Sequence, residues 1–71
     1  MHNRYIPSAS SIMKERRLAR GLTQEQVAKL AGVDRTTITK IENGTTRPSV
    51  KTAQKIAQVL DFDWTIFFSI A

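Results

Sequence analysis

Residues 21–44, reading GLTQEQVAKLAGVDRTTITKIENG, constrain the fold of this chain more tightly than any other stretch. Val27, Ala28 and Ala31 recur at helical spacing, and Val33, Ile38 and Ile41 resume the inward pattern after the corner at Gly32. Two short helices are expected, each with one inward apolar face. Gly32 stands at the corner, where a positive φ turns the chain at little steric cost. Ala28 is small where the second helix has to cross the first closely. Thr23, with Gln26 three residues on, reads as a capping box for the first of the pair. Asp34 is placed to start the second, and Asn43-Gly44 to stop it.

The outward residues of that second helix are Arg35, Thr36, Thr39 and Lys40, with Thr37 at its flank. Each can donate hydrogen bonds to bases or phosphates. Residues 24–43 therefore read as a helix-turn-helix, and the chain as one that binds double-stranded DNA.

The flanking sequence supplies further helices to hold this unit. Residues 1–9 read as an N-terminal arm, and residues 10–71 as one domain. A first helix is expected over about residues 10–20, closing at Gly21. Pro48-Ser49 opens a fourth, with Ser49 as its cap and Val50, Ala53, Ile56, Ala57 and Leu60 at helical spacing. Asp63 is placed to cap a fifth helix over residues 64–70. There Trp64, Phe67, Phe68 and Ala71 share one stripe, expected to pack with Phe62 on the core. No segment alternates as a strand would. The expectation is an all-α, compact five-helix domain.

The charge balance agrees with a nucleic-acid partner. Eleven Lys and Arg oppose six Asp and Glu, a net charge of +5, and a small basic domain usually meets a polyanion. The excess is uneven. Residues 1–20 hold five basic and one acidic side chain, whereas residues 51–71 hold two of each. The neutral C-terminal region suits packing or self-association better than phosphate binding.

Other function classes find little support. A domain this small buries only about 60% of its unfolded surface and leaves little chain for a second activity. No cysteine is present to build a disulfide or a thiolate metal site, and the one histidine, His2, lies in the arm. Paired acids and glycine-rich phosphate loops are missing. No enzymatic activity, metal, cofactor or small-molecule effector is expected. The N-terminus lacks the apolar run of a signal peptide and no stretch reaches transmembrane length, so a soluble, cytoplasmic protein without a membrane partner is expected.

From residue 13 to about residue 68 the chain resembles the Xre family, which includes the small phage repressors and Cro proteins. The marks are Arg17, GLTQEQVA at 21–28, Ala31-Gly32-Val33, the run Ile41-Glu42-Asn43-Gly44, and Arg47-Pro48. They stand in family order and at family spacing. The resemblance implies a lambda-repressor-like domain that binds DNA as a homodimer, with the third helix in the major groove.

The resemblance also implies roles for individual residues. Arg35, Thr36, Thr37 and Lys40 match base-facing positions, where Arg or Lys donates to guanine and a threonine methyl packs on thymine. Arg35 and Lys40 could instead touch only phosphates. Gln24 matches the glutamine that bonds a phosphate at the start of the second helix, against the plainer reading of a solvated helix-start residue. Asn43, Thr45 and Arg47 match the phosphate-flanking exit of the third helix, although Asn43 would also serve as a helix-ending residue. Arg17 and Glu42 match an internal ion pair and are kept off the DNA surface. Arg16 departs from the family pattern; either it lies along the fourth helix with its head in water, or it reaches DNA.

Ile66 and Ile70 fall opposite the aromatic stripe of the expected fifth helix. On that geometry they stay uncovered and suit the centre of a two-fold dimer, with Phe68 flanking. A dimeric repressor of a palindromic operator is the resulting expectation. An antitoxin or other protein-interaction module of the same fold is the alternative.

Overall fold

The computed structural model describes residues 8–68, and among these all regular structure is helical. Four α-helices follow in order: α1 (Ala9–Ala19), α2 (Gln24–Ala31), α3 (Arg35–Glu42) and α4 (Val50–Leu60). Trp64–Phe68 then forms a single 3-10 helix. This corrects the five-helix expectation. The last element is a tighter and shorter turn than the α-helix the aromatic spacing suggested, and Ile70 and Ala71 lie outside the described residues. Helix α1 begins one residue earlier than expected, because Ser8 takes the cap and accepts from the Ser11 N–H.

Polar side chains start the helices. Thr23 accepts from the Gln26 N–H at 3.0 Å, and Gln26 Oε1 accepts from the Thr23 N–H at 2.8 Å, completing the capping box of α2. Ser49 accepts from the Thr52 N–H to start α4. Asp34 occupies the cap position of α3 in extended conformation, yet its side chain makes no capping bond. Its contribution is the charge it places beside the positive end of the helix.

All four α-helices end alike. A left-handed residue follows the last turn, and the next N–H returns to a carbonyl five residues back. Gly32 takes that conformation at φ 71°, and the Val33 N–H donates to the Ala28 carbonyl at 2.9 Å, fixing the angle between α2 and α3. At the end of α4 the left-handed residue is Asp61, at φ 61°. Arg16 Nη1 donates to the Asp61 carbonyl at 3.0 Å, tying α1 to this corner. That bond accounts for Arg16, which holds the end of α4. Its neighbour Arg20 lies 3.9 Å from the Asp61 carboxylate, an exposed pair of little energetic weight.

The core lies where α2 packs on α3 and α4, with α1 crossing α3, α4 and the 3-10 helix. Met13, Val27, Ile38, Ile41, Ala53, Ile56 and Leu60 are fully enclosed there. Phe67 is buried and meets the Phe62 ring edge-on at 5.7 Å between centroids. Ile66 is half-buried and packs against this core, which corrects its assignment to an uncovered face. In a 3-10 turn, side chains project every third of a turn, so Ile66 is not held opposite the aromatic row. Phe68 is likewise half-buried, edge-on to Trp64 at 6.0 Å. Among the described residues, the exposed large apolar side chains are Leu18, Leu30 and Val50.

Candidate nucleic-acid interface

Two rows of side chains run along α3 on either side of its buried Ile38 and Ile41. Thr36 and Lys40, four residues apart, form an exposed outer row. Arg35, Thr39 and Glu42 form a second row that faces the start of α2. Helical spacing alone groups Arg35, Thr36, Thr39 and Lys40 together as outward. Thr39 is instead half-buried, and its hydroxyl donates to Gln24 Oε1 at 2.6 Å. Thr37 is half-buried at the flank, while Arg35 remains exposed at the N-terminal end of the inner row.

The inner row ends in a buried ion pair. Arg17 Nε donates to Glu42 Oε2 at 2.7 Å, and Arg17 Nη2 to Oε1 at 3.1 Å, a two-pronged contact. The Glu42 side chain is only 2% exposed. Arg17 Nη1 donates to the Leu22 carbonyl at 2.8 Å, and Gln24 Nε2 to Glu42 Oε1 at 3.1 Å. Among the described residues no buried side-chain polar atom lacks a partner. This polar cluster therefore joins α1, the loop after it, the start of α2 and the end of α3. It orients α3 through directional bonds, where apolar packing alone would leave it free to slide.

Beside the cluster lies an open hollow of about 520 Å³, lined among others by Leu22, Thr23, Gln24 and Arg35. The unpaired N–H groups at the start of α2 and the Arg35 guanidinium offer it donors, and the Glu25 carboxylate shares the same lining. Gln24 reaches it from a side chain already bonded at both ends. Sequence reasoning missed this inward commitment of Gln24 and Thr39. The signal was present only as a row, with Arg35, Thr39 and Glu42 at steps of four and three.

At the far end of α3, Asn43, Thr45 and Arg47 are all exposed. Asn43 follows the last turn in helical conformation, and the Thr45 N–H closes the helix on the Lys40 carbonyl at 2.9 Å. Arg47 lies over the Phe68 ring, 5.8 Å from its centroid. No helix among the described residues is long and apolar enough to cross a membrane.

Residues 13–67, from α1 to the buried Phe67, match the helix-turn-helix family. The chain belongs to that family. This helix-turn-helix protein is 55% identical over 56 residues to YqaF, an uncharacterized HTH-type transcriptional regulator of Bacillus subtilis; the match spans 79% of this chain and 74% of YqaF. The ImmF control region 10 kDa protein of Bacillus phage phi105 is 36% identical, over 79% of this chain and 62% of its own length. Among solved structures, the restriction-modification controller protein C.AhdI from Aeromonas hydrophila superposes with a TM-score of 0.74 at 34% identity. The superposition covers 83% of this chain and 89% of C.AhdI. Family membership makes this helix-turn-helix protein a DNA-binding transcriptional regulator and not an enzyme.

Proposed function

We propose that the protein is a dimeric repressor that lays α3 in the major groove of a near-palindromic operator. The observation that carries this reading is the exposed outer row of α3, backed by an inner row held through four hydrogen bonds with Arg17 and Gln24. Thr36 and Lys40 stand at the centre of that face and read bases, with Thr37 at the flank. Arg35, beside the hollow at the start of α2, reaches either the first base or the phosphate next to it. Gln24 meets that phosphate, and Asn43, Thr45 and Arg47 meet those at the opposite end of the helix.

One eight-residue helix spans few base pairs. Two copies on a symmetry axis place their recognition helices about 34–36 Å apart and read both half-sites. The neutral C-terminal region, with Ile66, Phe68 and Ile70, is the proposed contact between copies. Ile66 contributes only the part left uncovered by the core. Blocking of polymerase by the bound dimer is the simplest regulatory outcome.

Selection of bound fragments from random duplex DNA, repeated at two salt concentrations, tests the proposal. Enrichment of a near-palindrome with steep salt dependence is expected. Enrichment of no sequence, or of a single unrepeated half-site, contradicts the dimeric reading.

A further inference from the structure

An ionised carboxylate only accepts hydrogen bonds, and three donor contacts converge on Glu42: Arg17 Nε, Arg17 Nη2 and Gln24 Nε2. The Gln24 amide therefore turns its NH2 toward Glu42, because its carbonyl there would oppose a negative charge. Its Oε1 is left facing α3, where the Thr39 hydroxyl donates to it at 2.6 Å. Both ends of the amide are thereby specified, and the hydrogen-bond chemistry decides its orientation.

A threonine inside a helix has a competing acceptor, the carbonyl one turn back. Thr39 spends its proton on another helix instead. Of the three threonines on α3, only Thr39 has a hydrogen bond to α2. The result is a glutamine whose carbonyl is occupied and one of whose amide hydrogens is committed. What it has left is one N–H, beside the second lone pair of Oε1. That N–H suits a phosphate oxygen.

We propose that Thr39 is a positioning residue: it does not touch DNA, and it holds the Gln24 amide with its free N–H toward a backbone phosphate. The inference rests on the reading that Gln24 meets the DNA backbone. Glu42 is the fixed end of the relay, anchored by Arg17, and Thr39 is the end that can be altered without stranding a charge.

The test uses the full chain and a labelled duplex of arbitrary fixed sequence at low salt, since a phosphate contact is independent of sequence. Thr39→Val keeps the shape and removes the hydroxyl; Thr39→Ser keeps the hydroxyl. Thr39→Val is expected to weaken binding about fivefold, the scale of one lost hydrogen bond, and Thr39→Ser to restore most of it. Gln24→Ala should weaken binding at least as much, and adding Thr39→Val to Gln24→Ala should cost nothing further. Because both residues are neutral, the slope of log affinity against log salt stays unchanged, and thermal unfolding of the free variants separates any purely structural loss. Wild-type binding by Thr39→Val, with Gln24→Ala weakened, overturns the positioning role and leaves the phosphate contact standing. Losses that simply add also overturn it, since Thr39 then acts independently. Wild-type binding by Gln24→Ala removes the phosphate reading, and the inference with it.

Discussion

The α2–α3 unit and the C-terminal aromatic segment are held in different ways. In the α2–α3 unit the determinants are directional groups at fixed positions: the Thr23–Gln26 box, the left-handed Gly32, the Glu42 carboxylate with its donors. Around residues 62–68, stability comes from rings in edge-on contact and from burial of Phe67. Directional groups tolerate one geometry, whereas aromatic packing accepts several. The proposed DNA-facing surface is built on the first kind, which is what a site read to within a hydrogen bond requires.

Glu42→Ala gives the largest break in this comparison. It strands the buried Arg17 guanidinium and should cost about 3–5 kcal/mol in urea unfolding. Replacing the pair together, Arg17→Met with Glu42→Leu, should recover much of that loss. If Glu42→Ala proves nearly neutral, the polar cluster does not hold α3.

Thr23→Ala comes next. Losing the capping box should lower stability by about 1 kcal/mol, read as a shifted urea midpoint with unchanged slope. The smallest effect belongs to the C-terminal segment. The Thr65 hydroxyl, and after it the Thr65 N–H, donate to Asp63 and hold its carboxyl below the ordinary value. A depressed folded-state pKa means the contribution is present above the unfolded value and is lost as pH falls through the folded one. Acidification below the usual carboxylate range should therefore loosen residues 63–65, visible as faster amide exchange there. Asp63→Asn should weaken that pH response. Equal loosening in the variant would assign the acid effect elsewhere.

The same contrast explains what the sequence made legible. Gly32, the capping box and the apolar spacing of Val27, Ile38 and Ile41 are local signals, and they specify the motif before any tertiary contact is known. The fifth element was misread because Trp64, Phe67 and Phe68 satisfy an α-helical stripe, while five residues against an existing core settle as a 3-10 turn. Ile66 was misplaced for the same reason. Thr39 was grouped with the outward residues because helix periodicity alone does not say how far a neighbouring helix start intrudes. Arg16 is not decided by sequence, because its partner is the Asp61 carbonyl, at a corner that an aspartate turns in a left-handed conformation.

The outer row of α3, with the start of α2, is the proposed DNA-reading face. Chemical-shift mapping of the isotope-labelled protein, titrated with a duplex recovered by selection, tests it most directly. The largest changes are expected on Thr36, Lys40, Gln24 and Thr45, with Lys14, Lys51 and Lys55 little affected. Changes concentrated on those three lysines of α1 and α4, with α3 unmoved, would contradict it.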